Sequence, residues 1–185
     1  QWKKKVTIDS PLTSPVSIWM YLATLKAGVT NDDYWRQLTK QELVIAPGFR
    51  EMFLKLIQGE AHIAIDGADG SIAPFVKEGA PVQAVPLEDG VLVAPYSVAI
   101  AMIKNAPHPN AARLFLNWLS SQEGENTYSQ AAGGIAVYRK DVPDTRAAAI
   151  KSDIKKVIPI DLAIQLEATR VQREGTFARI LGVEK

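Results

Sequence analysis

Apolar positions recur along the chain in two rhythms. In "KKVTID", residues 4–9, alternation with β-branched side chains predicts a strand. The next stretch, "SPLTSPVSIWMYLATLKAG", changes to helical spacing at Ile18, Tyr21, Leu22 and Leu25. Ser14 before Pro15 reads as an N-cap followed by proline at the first helical position, and Gly28 fits just past the end. "TNDDYWRQLTKQ", 30–41, opens a second helix behind Thr30 or Asn31, with Asp32 and Asp33 in the turn where the helix dipole favours them. A third helix spans "APGFREMFLKLIQGE", with Phe49, Met52, Phe53, Leu56 and Ile57 as its buried stripe and Gly59 as its stop.

"AHIAID", 61–66, is the next predicted strand, and "DGADGS" a turn cluster. "IAPFVKEGA" reads as a short helix ending at Gly79, and "PVQAVPL", 81–87, as a strand broken by Pro86. After Asp89-Gly90, "VLVAPYSVAIAMIK" is a long apolar strand or strand pair, interrupted at Pro95 because proline cannot donate to a ladder. "APHPNAARLFLNWLSSQEGENTYSQA" predicts a strong helix with Ala112, Leu114, Phe115, Trp118 and Leu119 toward the core. "GGIAVYRKDV" follows as a short strand, and "DTRAAAIKSDIKKV" as a helix. The tail "DLAIQLEATRVQREGTFARILG" is helical, with Gly175 weakening or splitting it. Strands alternating with helices imply an α/β fold around a mostly parallel sheet with right-handed crossovers.

Composition narrows the chemistry. Apolar residues make up 47% of the 185, enough for a packed core. Lys plus Arg number 21 against 20 Asp plus Glu, so no strong field draws the chain to nucleic acid or an acidic membrane. The run Lys3-Lys4-Lys5 is a solvated strand edge. Absence of cysteine excludes thiolate chemistry, Cys-ligated zinc and disulfides. No apolar run reaches the ~18 residues of a membrane span. The chain opens on Gln1 rather than Met, as a processed product, a recombinant piece or a fragment would.

In open α/β sheets, ligands sit beyond the carboxyl ends of the strands. Two loops have that address. Asp9 through Ser14 runs into a helix N-terminus, where the amides of Val16 and Ser17 lack intrahelical partners and Thr13 and Ser14 add hydroxyls. Either a carboxylate or phosphate sits there, or Ser14 caps its own helix. The second loop is Asp66-Gly67-Ala68-Asp69-Gly70-Ser71. Gly67 and Gly70 permit positive φ and close ligand approach. Asp66 and Asp69 could take an ammonium group or a hard cation, or simply bond their own turn. The spacing is not that of the calcium-binding EF-hand loop.

Catalytic signatures are lacking. His62, in a predicted strand, and His108, at a helix start, are the only histidines, too scattered for a zinc site. Neither a G-x-S-x-G elbow nor a glycine-rich phosphate loop occurs. Trp19, Trp35 and Trp118 fall on apolar helix faces and read as core; Trp2 is too near the terminus to assign.

The segments "GEAHIAIDGADG" and "APYSVAIAMIKNAPHPNAARLFLNWLSSQEGENTYSQAAGGIAVYRKDV" resemble bacterial extracellular solute-binding proteins of ABC importers, most like the ferric-iron, polyamine and small-anion binders. The resemblance rests on Lys104, Asn105, Pro109, Ala111, Ala112, Phe115, Trp118, Leu119, Ser121, Glu123, Gly124, Gly134, Val137, Arg139, Asp141 and Val142. It implies a periplasmic-binding-protein-like (type II) lobe. Residues 1–90 would form the second-lobe segment, 91–142 a crossover strand and helix belonging to the first lobe, and 143–185 helices packing back on the second. "WKKKVTIDSP" resembles the point where such chains enter that lobe, so the first-lobe α/β segment is expected to lie outside this chain or on another. The implied role is periplasmic capture of a small molecule or ion between two lobes and delivery to a membrane permease, without catalysis, cofactor or nucleic acid. The ligand wall would comprise Asp9, Thr13, Ser14, Asp66, Gly67 and Asp69. Tyr96, after Pro95, is either a ligand contact or a hinge residue. Iron-binding relatives carry adjacent tyrosines after the strand corresponding to 61–66; here Asp and Gly stand there, so phenolate ligation of iron is not expected. An effector-binding domain of a transcriptional regulator, or a small α/β hydrolase using Asp66 or Asp69 as a base, are the alternatives.

Overall fold

The structure is a computed structural model that describes residues 2–67, 69–85, 88–94, 100–131, 139–143 and 156–183. In chain order the elements are β1 (Val6–Asp9), α1 (Val16–Lys26), α2 (Asp32–Thr39), β2 (Val44–Ala46), α3 (Phe49–Ile57), β3 (Ile63–Ile65), α4 (Asp69–Lys77), β4 (Val91–Val93), α5 (Pro109–Leu119), α6 (Gln122–Ala131), β5 (Val157–Pro159), α7 (Leu162–Glu174) and α8 (Thr176–Leu181). The α/β class with parallel sheets flanked by helices is that of a periplasmic-binding-protein-like lobe. The chain divides into two compact units. The first comprises residues Gln1–Gly67, Val85–Tyr96 and Ser152–Lys185; the second comprises Ala68–Ala84 and Ser97–Lys151.

The first unit holds both sheets. Strands run in the order β2-β1-β3, all parallel, and β4 pairs in parallel with β5. β1 is buried along its whole length, as a central strand of a parallel sheet must be. Helix α1 packs on β1 with Ile18, Met20 and Tyr21, and α7 and α8 bring Ala168, Val171, Phe177 and Leu181 to the same core. Its centre is aromatic. Phe177 stacks on Tyr21 at 4.4 Å between ring centroids and meets Trp35 edge-on at 5.2 Å. The Tyr21 hydroxyl donates to Asp32 Oδ1 at 2.7 Å, satisfying the one polar atom of the cluster's tyrosine. Ile158, Ile160 and Ile164 pack with Ala23 and tie the β4–β5 sheet to α1.

Local signals explain the helix ends. Asn31 Oδ1 accepts from the Tyr34 amide at 2.8 Å, and Asp161 Oδ1 from the Ile164 amide at 2.9 Å, two side-chain N-caps. Gly175 sits at φ 67 and divides the tail helix into α7 and α8, the split its sequence position suggests.

Several expectations are corrected. Strands β2 and β5 were not anticipated; each is only three residues long, and Val157 lies at the end of a stretch read as helix. "DGADGS" is not a turn throughout, because α4 begins at Asp69. Residues 82–85 form no strand, and His62 precedes β3, exposed, with its amide donating to Lys5 O at 2.8 Å. Of the long apolar run after Gly90, only Val91–Val93 is strand; residues 100–103 are irregular and exposed, and 95–99 lie outside the described residues. Residues 132–138 and 144–155, which hold most of the strand and helix expected over 133–157, also lie outside them.

In the second unit, the single helix expected over 106–131 is two helices. Ser120-Ser121 breaks it: the Ser121 hydroxyl donates to Trp118 O at 2.6 Å and accepts from the Gly124 amide at 3.1 Å, starting α6. Gly124 is required there, since a Cβ would fall 2.0 Å from Trp118 O. The apolar stripe of α5 does not face a core. No described residue of α5 is buried, and Leu114 and Phe115 are 73% and 56% exposed. Trp118 is also exposed, with its ring 5.8 Å from that of Phe115. Periodicity assigned these residues to one face correctly, but among the described residues nothing covers it.

Candidate functional site

The carboxyl ends of β1 and β3 lie side by side. Val6 pairs with Ile63, Thr7 with Ala64 and Ile8 with Ile65, so the same register brings Asp9 level with Asp66 at one rim of the sheet. On the other side Asp9 is level with Ala46 of β2. The two predicted loops therefore leave the sheet at the same end, where a parallel α/β sheet offers its crevice.

Asp9 is 1% exposed, so its carboxyl turns into the protein. The Ser14 hydroxyl donates to it, while Ser14 Oγ accepts from the Val16 amide at 3.3 Å. Ser14 thus links the carboxyl of Asp9 to the first turn of α1. Pro15 has helical backbone angles and its carbonyl accepts from Trp19, so the Ser14 cap and the Pro15 start agree with expectation to within one residue. Thr13 is the exposed member of the loop; its hydroxyl donates to Pro47 O at 3.0 Å. Burial raises the pKa of Asp9, opposed by the bonds from Ser14 and the Ser10 backbone.

Asp66 is half-buried as a residue, but its Oδ2 is shut off from solvent without a hydrogen-bond partner. Burial first, and then the charge of Asp9, push its pKa up to about 8, opposed by a bond from the Gly67 backbone. The left-handed backbone expected of a glycine belongs instead to Asp66, at φ 80. Aspartate tolerates that region better than most side chains, at some cost. Gly67 is not among the positive-φ residues. Its lack of a side chain serves packing, since a Cβ would stand 3.0 Å from Phe53 Cζ on α3.

The rim thus gathers Asp9, Thr13, Ser14, Asp66 and Gly67 within the first unit. Asp69 begins α4 in the second unit, with its side chain outside the described residues, and Tyr96 lies outside them altogether. Among the described residues, no group of three or more His, Asp or Glu gathers where a metal ion could be held.

Three contributors escaped the sequence reading. Ser10 is buried and accepts from the Leu12 amide at 3.3 Å, shaping the loop. The Pro47 carbonyl, just past the end of β2, anchors Thr13. Ser17, fully buried, holds a hydroxyl without a partner in the first turn of α1. Its spacing to Met20, Tyr21 and Thr24 places it on the inward face, and that signal was available.

A family model for bacterial extracellular solute-binding proteins matches residues 2–133. That span takes in β1, the rim and both helices α5 and α6. The chain belongs to the bacterial extracellular solute-binding protein family. No curated protein matches it. A solute-binding role and a place outside the cytoplasm follow from the family, which is generally non-enzymatic. Among the described residues, no helix of this solute-binding protein is long and apolar enough to cross a membrane. The rim described above lies wholly inside the matched span, so the family's ligand chemistry has a concrete address to be tested against.

Proposed function

We propose that this solute-binding protein serves an ABC importer in the periplasm, capturing a small molecule or ion between two lobes and presenting it to a membrane permease. The rim of β1 and β3 forms one wall of the ligand site. The observation that supports this reading is the level placement of Asp9 and Asp66 at the carboxyl end of a parallel sheet, next to the start of α1. The Ser14 hydroxyl bonds the Asp9 carboxyl, and the exposed Thr13 stands next to Ser14 in the same loop. Asp69 and Tyr96 remain candidates by their sequence positions. A ligand that touches both lobes only when they are closed shifts a hinge equilibrium toward the closed form by its differential contacts.

The test is calorimetric titration with a panel of inorganic phosphate, sulfate, glycine and putrescine, followed by Thr13→Ala and Asp66→Ala. Binding of the solute found in the panel is expected to weaken at least tenfold in one or both variants. Unchanged affinity in both would place the site elsewhere.

A further inference from the structure

The last turn of α7 reaches the rim. Gln172 Nε2 donates to the Pro11 carbonyl at 3.1 Å, although the two residues stand 161 apart in sequence. Pro11 is fully buried and, as a proline, has no N–H, so its backbone only accepts. Among the described residues, the donor to that carbonyl is the Gln172 side chain. An enclosed carbonyl that loses its donor is left unsatisfied, so this bond constrains where the loop sits.

The other ties of the Ser10–Ser14 loop are to its own sheet and to itself. The Ser10 amide donates to Ala46 O at 2.8 Å, and Thr13 Oγ1 donates to Pro47 O at 3.0 Å, both at the end of β2. The Thr13 and Ser14 amides close back on Ser10 O at 3.2 and 3.0 Å. Gln172 adds a tie from a helix at the other end of the chain. That helix is fastened alongside α1. At its start, Asp161 Oδ2 accepts from Lys26 Nζ at 2.7 Å, at the far end of α1. From Asp161 to Gln172 is roughly 16 Å of helix at ~1.5 Å per residue, which matches the length of α1. The two helices are therefore antiparallel. Ala168 and Val171 of α7 share a core with Ile18 and Tyr21 of α1, and Gln172 follows at the rim.

We propose that Gln172 is a positioning residue of the rim: its amide holds the Ser10–Ser14 loop in the conformation that presents Thr13 and Ser14 to solute. The proposal rests on the reading of the rim as a ligand wall. Gln172 acts through Pro11 and not on the solute. A loop fixed beforehand need not be ordered when solute arrives, so losing the tie weakens binding without removing a contact to the solute. The tail helix, beyond the span matched by the family at residues 2–133, thus sets a loop inside that span.

The experiment compares Gln172→Ala, Gln172→Lys and Lys26→Ala with the wild type. Lysine keeps an N–H donor at this position, while Lys26→Ala frees the other end of α7 and leaves the loop tie intact. In the solute-free protein, amide hydrogen exchange at Thr13 and Ser14 should speed up at least tenfold in Gln172→Ala and return toward the wild-type rate in Gln172→Lys. Exchange at Thr7 and Ile8 of β1 should stay unchanged, which separates a loosened loop from a destabilised fold. Calorimetry then uses whichever of inorganic phosphate, sulfate, glycine or putrescine the wild type binds. Affinity should fall about three- to tenfold in Gln172→Ala, recover in Gln172→Lys and match the wild type in Lys26→Ala. Unchanged exchange at Thr13 and Ser14 in Gln172→Ala would overturn the positioning role, whatever the rim binds. Faster exchange with unchanged affinity would overturn its link to solute, while Thr13→Ala and Asp66→Ala judge the ligand wall separately. If no member of the panel binds, the exchange comparison alone supports or overturns the hold on the loop. If Gln172→Ala fails to fold, Gln172→Glu at pH 7.5 takes its place, since it keeps the size and exchanges the donor for an acceptor.

Discussion

Replacing Asp66 by Asn should stabilise the protein near neutral pH, although Asp66 lies at the candidate site. The folded chain holds this carboxyl protonated up to about pH 8, whereas the unfolded chain releases its proton near pH 4. Between those values the native state binds more protons than the unfolded state, so stability falls as pH rises. The slope is at most ~1.4 kcal/mol per pH unit. At pH 7 the lost stability is on the order of 4 kcal/mol, reached over roughly three units above the unfolded pKa. Below pH 4 the stability is fully present. Asparagine is nearly isosteric, neutral at every pH and at ease in the left-handed region that Asp66 occupies. Urea unfolding of wild type and variant at pH 4.5, 6, 7.5 and 9 measures the difference. The variant should gain little at pH 4.5 and about 2–4 kcal/mol at pH 7.5, allowing for part of the shift being relaxed by local opening. A difference that stays flat with pH, or shrinks as pH rises, would show that Asp66 ionises in the folded chain as it does in the unfolded one. Together with weakened solute binding, the gain would mark Asp66 as a residue kept for function at the expense of stability.

Phe177→Ala should destabilise by about 3–5 kcal/mol, since it removes a fully buried ring from between Tyr21 and Trp35; urea unfolding reads this out. Gly124→Ala should disrupt the α5–α6 corner, because the added methyl meets the Trp118 carbonyl, and helix loss by circular dichroism should accompany a lower Tm. Asn31→Ala should cost about 1 kcal/mol by removing the cap of α2, visible as a small shift of the urea midpoint with an unchanged slope.

Long periodic segments were legible in the sequence. β1, α1, α2, α3 and the divided tail helix carry their own signals: a caps-and-stripe pattern at Asn31, a Ser14-Pro15 start, and Gly175 where a helix must turn. β2 and β5 were not, because three residues cannot display a period and their identity comes from pairing with β1 and β4. The α5 stripe shows the converse limit. Spacing reveals that Leu114, Phe115 and Trp118 share a face, but cover for that face is a tertiary fact. At the site, both loops could be found from strand ends and turn residues. What local sequence does not encode is the register that sets Asp9 level with Asp66, nor the burial that turns their carboxyls inward. The glycine rule also misplaced the left-handed residue, since Phe53 claims the space beside Gly67 and Asp66 takes the strained angle.

On the proposed function, solute meets this lobe at the shared rim of β1 and β3. Amide chemical-shift mapping during titration with the solute found by calorimetry tests it most directly. The largest changes are expected at residues 9–14 and 65–67, saturating with the calorimetric affinity. Saturable binding whose shift changes spare both loops and cluster elsewhere would contradict it.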